Sequence, residues 1–304
     1  MTRLGRLSSI GMVIYQHPLA YLLGVEGVAL LHAFAGWHDR DFTDARLAEI
    51  QVLLDSAGQL GGGAWTRPVS AEDGYRAWAD SYDQPGNGLI ELEQPLVREI
   101  LAGLPRGTAL DAACGTGRHA EYLASLGHAV IGVDACAEML GVARAKVPGG
   151  DFRQGDLREL PVPARRADVV VCALALTHVP DLAPVFAEFA RVLRPGGHLV
   201  ISDSRSDWPV VKPLPGGGFG YLPHRNHRAS EYLAAALPLG FQVRGCQEPC
   251  LSGPAIDPDI PPPAAPPDHP SDVWSLWPWC PAAVNAAYHE TPVLIIWHLQ
   301  LADS

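Results

Sequence analysis

Two short stretches carry residue types whose spacing could hold a nucleoside. Ala109-Leu-Asp-Ala-Ala-Cys-Gly-Thr-Gly-Arg-His-Ala120 reads as a buried strand, a glycine turn and a helix start. Ile131-Gly-Val-Asp134 reads as a second strand that ends on an acid. Glycines let backbone approach a ligand closely, and a helix N-terminus offers amide N–H groups to an anion. A carboxylate at the end of the next strand has two oxygens for the two hydroxyls of a ribose. The chemistry implied is retention of a nucleoside-bearing cofactor.

Gly115-x-Gly117-x-x-Ala120 also satisfies the G-x-G-x-x-G/A dinucleotide pattern, so an NAD-dependent oxidoreductase is one reading. Asp111 weighs against it. This acid precedes the glycines at the carboxyl end of the first strand, where it would face a pyrophosphate, and like charges repel. A cofactor with a cationic amino group is drawn to Asp111 instead. S-adenosylmethionine has such a group, and its single carboxylate suits the helix start after Gly117.

Further pieces follow in order. Gly155-Asp156-Leu157 comes after a short strand near Phe152. Asp168-Val-Val-Val-Cys-Ala-Leu174 is a nearly all-apolar fourth strand. Val192-Leu-Arg-Pro-Gly-Gly-His-Leu-Val-Ile-Ser-Asp203 is a helix end, a Pro-Gly-Gly turn and a fifth strand. The ordered set resembles the class I S-adenosylmethionine-dependent methyltransferases, strongly from about Asp73 to Asp203 and weakly elsewhere. The family often has Gly where Ala113 stands, and a small residue there is tolerated.

The resemblance implies roles for particular residues. Gly115 and Gly117 admit the cofactor, Asp111 accepts from its amino group, and Asp134 accepts both ribose hydroxyls. Asp156 accepts from the adenine amine and the Leu157 amide meets a ring nitrogen. Met139 packs on adenine or is plain helix core. Ala113 and Ala173 line the cofactor at the ends of their strands. Asp73-Gly-Tyr-Arg-Ala-Trp-Ala-Asp-Ser-Tyr-Asp83 puts Tyr75, Trp78 and Tyr82 on one helical face. That face is a core stripe by pattern alone. In small-molecule methyltransferases a similar helix closes over the methionine end, which places Tyr75 and Tyr82 at the site. His178 follows the fourth strand, where the family's residues face the transferred methyl, and imidazole titrates near neutrality. His178 and Tyr75 are therefore the catalytic candidates; pocket shaping or helix capping is the other role for His178. His224, Asn226 and His227 are secondary candidates. The expected cofactor is S-adenosyl-L-methionine, its product S-adenosyl-L-homocysteine, with no metal.

These residues need a scaffold. Strands near 108–112, 129–133, 151–154, 168–174 and 198–202 alternate with helices near 117–126, 137–146 and 182–193. Continuous Val/Ile/Leu strands predict a parallel sheet covered on both faces. A helix candidate from Arg228 to Leu237, a strand from Phe241 and a closing strand over Pro292–Gln300 fit an antiparallel final hairpin. The expected fold is an α/β, Rossmann-like seven-stranded sheet, mostly parallel, with an N-terminal helical extension and a C-terminal lid insertion. Residues 1–66 form a helical cap or arm, and 67–304 the core, with a substrate and lid region over about 205–291. In the arm, Pro18 opens a helix to about Gly36, and Thr43 is a good N-cap for the next. The first helix is apolar over much of its circumference, so it must be buried, either on its own subunit or on another. A homo-oligomer through this arm is one expectation.

The chain has 304 residues and a formal net charge of -11, without a basic cluster. Nucleic-acid and anionic-membrane partners are therefore not expected. No run of 18 or more apolar residues predicts a membrane span. The six cysteines are scattered without metal-ligand spacing and read as reduced thiols of a cytoplasmic protein. Trp274, Trp277, Trp279 and Tyr288 form either a satellite core or an aromatic wall for a flat ligand. No Lys/Arg cluster awaits a phosphate. The expected acceptor is a hydrophobic or aromatic small molecule. Usage rich in Ala, Gly, Pro and Arg resembles actinobacterial enzymes of specialised metabolism, including indole C-methyltransferases, so an indole C3 acceptor is the sharpest expectation. O- or N-methylation of another aromatic or polyketide-type product uses the same base. A non-catalytic cofactor-binding protein is the remaining alternative.

Overall fold

The computed structural model describes residues 12–76, 79, 82, 83, 87–206, 210–213, 218–261, 263 and 273–303. Along the chain run β1 (Ile14–Gln16), α1 (Pro18–Phe34), α2 (Arg40–Asp55), β2 (Ala64–Pro68), α3 (Ala71–Arg76) and α4 (Gly88–Ala102). The middle holds β3 (Thr108–Ala112), α5 (Arg118–Ser125), β4 (Ala129–Asp134), α6 (Ala137–Lys146), β5 (Asp151–Gln154), β6 (Ala167–Ala173), α7 (Leu182–Val192) and β7 (Leu193–Ser204). The last third holds β8 (Val210–Pro213), β9 (Phe219–Leu222), α8 (Ala229–Ala236), β10 (Phe241–Gln247), α9 (Pro281–Tyr288) and β11 (Leu294–Leu301).

Two compact units emerge. The larger comprises 70–207, 224–249 and 293–304. Its seven strands lie in the order β10-β11-β7-β6-β3-β4-β5. From β7 to β5 the pairings are parallel; β11 pairs antiparallel with β7 and β10. The fold is the expected Rossmann-like α/β sheet. Its strands are continuously apolar because alternate side chains feed two cores. Val170 and Cys172 join Phe186, Phe189 and Tyr232 on one face. Val169 and Val171 join Val97, Leu101, Leu123 and Leu140 on the other. The order reverses between β3 and β6, and ligands bind at such a switch, outside the carboxyl ends of the strands.

The smaller unit comprises 12–69, 218–223 and 250–292, with 210–213. Its four-stranded sheet runs β1-β2-β9-β8, which the sequence reading missed. These strands are short and two of them are glycine-flanked, so they lack a period-2 signature. The expected division into an N-terminal arm and a separate C-terminal insertion differs from what forms. Leu22, Val25 and Ala29 of α1 share one core with Leu53, Leu60, Leu276, Cys280, Ala283 and Val284. A helix apolar nearly all round finds its cover in a segment more than 200 positions away, which no local pattern announces. The second helix starts earlier than Thr43. Asp39 is its N-cap and accepts from Phe42 N at 2.9 Å, while Thr43 Oγ1 donates back to Asp39 O.

Candidate functional site

The glycine turn between β3 and α5 is built by backbone conformation first. Ala113, Gly115 and Gly117 have φ of 60°, 51° and 81°. That left-handed region is the reason glycine is favoured at these places, and Ala113 carries a small strain there. The two glycines serve different needs. A Cβ on Gly115 would meet nothing within 4 Å, so the turn is open on that side. A Cβ on Gly117 would sit 3.0 Å from Ala143 Cβ, so this glycine lets α6 pack against the turn.

Two carboxylates flank the turn. Asp134 Oδ2 accepts from Gly115 N and Oδ1 from Cys136 N, each at 2.8 Å. Asp111, 2% exposed, accepts from Ala120 N at 2.8 Å. Burial pushes Asp111 up to about 7 and raises Asp134 as well. Behind them lies a buried residue that the sequence reading did not single out. Glu93 of α4 accepts from Arg118 Nη1 at 2.6 Å, Ser202 Oγ at 2.7 Å and His119 Nε2 at 3.1 Å. Burial pushes Glu93 up, but His119, Arg118 and Ser202 together hold it down at about 2. In the sequence Glu93 stands in Glu91-Leu-Glu-Gln94, where nothing distinguishes it from a solvated acid.

A family model described as a methyltransferase domain matches residues 110–201, the stretch that builds this turn and its strands. A malonyl-[acyl-carrier protein] O-methyltransferase of Yersinia pestis is 33% identical over 132 residues, 43% of this chain and 46% of that protein. A demethylmenaquinone methyltransferase of Lysinibacillus sphaericus is 31% identical over 166 residues, 50% of this chain and 69% of that protein. The chain belongs to the S-adenosylmethionine-dependent methyltransferases. It spans about half the length of the first curated relatives it matches. The DhpI–SAH complex shares the fold, with a TM-score of 0.52 at 23% identity over 76% of this chain and 95% of the other. The dinucleotide reading falls with this membership.

The residues fit the methyltransferase cofactor. The turn is open at Gly115, and the carboxylates beside it, Asp111 and Asp134, suit a cationic ligand rather than a pyrophosphate. Asp156 is exposed and engaged by Arg158, whose N, Nε and Nη2 donate at 2.7, 2.9 and 2.6 Å. Leu157 is half-buried against the core. Met139 is 1% exposed and packs with Ala79 and Cys136, with Tyr75 and Tyr82 against them. Its setting is that of a core residue beneath the two tyrosines. Ala173 ends β6, and Leu174 turns the chain away with φ of 55°.

Of the expected face over Tyr75, Trp78 and Tyr82, Tyr75 lies in α3 and Tyr82 in a turn. Trp78 is outside the described residues. The two tyrosines still meet, with ring centroids 5.9 Å apart. Tyr75 also meets His178: its hydroxyl lies 2.9 Å from His178 Nε2. Burial raises the phenol well above its ordinary value and so keeps it protonated. His224 stands edge-on to His178, with centroids 6.3 Å apart.

The turn that presents His178 is clamped from two directions. Asp203, at the end of β7, accepts from Thr177 N at 3.2 Å and from Tyr232 OH at 2.7 Å. Arg225 donates its N–H to Thr177 O at 2.8 Å and Nη1 to Pro180 O at 3.0 Å. His227, 2% exposed, donates Nε2–H to Val179 O at 2.9 Å and Leu176 O at 3.1 Å. His227 and Asn226, secondary candidates in the sequence, are thus tied to backbone: Asn226 Nδ2 donates to Arg205 O at 2.8 Å. The tryptophans fall elsewhere. Trp277 and Trp279 pack on the core of the smaller unit, and Trp277 Nε1 donates to Tyr21 OH at 2.9 Å. This is the satellite-core reading, not an aromatic wall. Among the described residues no group of three or more His, Cys, Asp or Glu is placed to share a metal ion, and no helix is long and apolar enough to cross a membrane.

Proposed function

We propose that this methyltransferase acts on a flat, hydrophobic or aromatic small molecule whose O–H or N–H must be relieved of its proton during transfer. The observation that carries this is the 2.9 Å contact of Tyr75 OH with His178 Nε2. When bound, S-adenosylmethionine supplies a methyl group on a sulfonium, activated for in-line displacement. Asp134 would hold its ribose, Asp111 its amino group, and the Gly115–Gly117 turn its backbone-facing side. Asp156 and Leu157 would receive the adenine, with Ala113, Ala173 and Tyr82 closing around the rest. On the acceptor side, the Tyr75 oxygen takes the acceptor's proton while the phenol proton passes to His178 Nε2. The clamp on residues 176–180 keeps the imidazole in place, which favours proton transfer through alignment.

The sharpest form of the reading is methylation of an indole at C3 in a tryptophan-derived acceptor. That carbon is already nucleophilic, and the Tyr75–His178 pair would relieve the indole N–H as charge develops. A relative named for ubiquinone biosynthesis is an O-methyltransferase, which supports a second form with an aromatic hydroxyl as the competing acceptor. Incubating the protein with methyl-labelled S-adenosylmethionine and a panel of indoles, phenols and naphthols, read by mass spectrometry, separates the two. His178→Ala and Tyr75→Phe are expected to lower turnover about 10²–10⁴-fold with S-adenosylhomocysteine affinity intact. Full turnover in both variants would remove the pair from the chemistry.

A further inference from the structure

We propose that the outward face of α1 is a two-fold helix–helix interface with a second copy of this chain. Ala20, Gly24, Gly27, Val28, Leu31 and Phe34 share one side of the helix, spaced three and four apart. None is polar. Leu31 is 68% exposed and Phe34 94%. The opposite side, with Leu22, Val25 and Ala29, is already committed to the core of its own unit.

The two glycines have no use inside the chain. A Cβ on Gly24 or Gly27 would meet nothing within 4 Å, and neither has a positive φ. Glycine in a helix interior destabilises it relative to alanine. Its gain here is outside the chain, where a smooth surface admits the backbone of another helix.

The face is also self-complementary. Its N-terminal half is small (Ala20, Gly24) and its C-terminal half is large (Leu31, Phe34). An antiparallel two-fold sets Phe34 over the partner copy's small end and brings the two Gly27 positions together. This is the isologous arrangement closed dimers use. An aromatic side chain buries on the order of 200 Å², so Phe34, 94% exposed in each copy, supplies a large share of the about 1,000 Å² that a specific interface needs.

A lipid surface is the weaker occupant. α1 contains no Lys or Arg, which interfacial helices place on their polar side, and the chain carries -11 overall.

The test is the mass of the full chain by light scattering on size-exclusion chromatography, across micromolar concentrations. The expected result is twice 32.5 kDa. Phe34→Glu should raise the dimer Kd at least ~100-fold. Gly24→Leu should do the same although it adds apolar surface, because it blocks close approach. Leu47→Glu, on exposed α2 surface, should leave the dimer intact. Retained helical circular dichroism and S-adenosylhomocysteine affinity show that each variant is folded. A wild-type mass of one chain at every concentration overturns the proposal. So does a dimer that survives Phe34→Glu and Gly24→Leu. Tighter association in Gly24→Leu, or a monomer that sediments with phosphatidylglycerol/phosphatidylcholine vesicles, also overturns it, in favour of non-specific contact or lipid.

Discussion

Asp111 shows how one buried acid sets a pH dependence. Burial lifts it to about 7, well above its unfolded value of about 4. An acid raised in this way contributes stability while protonated, fully present below about 4 and lost as the pH climbs through about 7. A cation placed against the carboxylate rewards ionisation instead. S-adenosylhomocysteine affinity is therefore expected to increase from about pH 6 to about pH 8, with uptake of the ligand releasing part of one proton near pH 6.5. Calorimetry in buffers of different ionisation heat reads that proton, and Asp111→Asn should abolish it. Equal affinity across the range would move the amino group away from Asp111. Glu93 carries the opposite sign. Held at about 2, it contributes stability above about 4.5 that is lost as the pH falls through about 2. Replacing it strands Arg118, His119 and Ser202 in the interior. Glu93→Gln should cost about 3–5 kcal/mol, measured by urea unfolding at neutral pH. A cost below about 1 kcal/mol would mean the cluster is solvated after all.

At the scale of elements, the 176–180 turn is where several parts of the larger unit converge. β6 delivers it through left-handed Leu174, β7 holds Thr177 through Asp203, and the 225–227 segment holds four of its carbonyls. None of these contacts touches the site directly, so His227 is a positioning residue. His227→Leu removes a donor shared by two carbonyls. The expected outcome is a fall of kcat of about 10-fold or more with S-adenosylhomocysteine affinity unchanged, since misplacement alone lowers rates strongly. His227→Gln, which retains an N–H donor, should recover most of the loss. The imidazole resonance of His178 should titrate differently in His227→Leu and normally in His227→Gln. Identical titration in all three proteins would make His227 a packing residue only.

The whole molecule is two units threaded by one chain, the smaller assembled from distant segments. Its core depends on α1, 0% exposed at Leu22, meeting α9 and the Leu276 turn. Leu22→Ala should remove about 2–5 kcal/mol and lower the thermal midpoint of the smaller unit. Far-ultraviolet melting against tryptophan fluorescence checks it, because Trp277 and Trp279 report on this core. An unshifted fluorescence transition would show that α1 does not support it. The same unit holds Glu26, buried without exposure beside Arg46 and pushed up to about 8 by burial. An apolar helix with a lone buried acid reads as interior, and it is interior on one side only.

The parallel sheet, its order of motifs and the glycine turn were legible in the sequence because each is a local matter. Apolar runs such as Val169–Val171 specify strands buried on both faces, and Gly115 and Gly117 specify left-handed turns that few residues adopt. Family resemblance put Tyr75 and His178, 103 positions apart, among the candidates for one site, but nothing implied that they pair. Glu93 against Ser202, 109 positions apart, was not implied at all. Neither was the clamp of Asp203, Arg225 and His227, nor the union of α1 with the tryptophan segment. A polar side chain in an apolar stretch looks the same whether it will be solvated, capped or buried in a network. Its meaning is set by a partner that chain folding brings from far away, and only the tertiary structure chooses that partner.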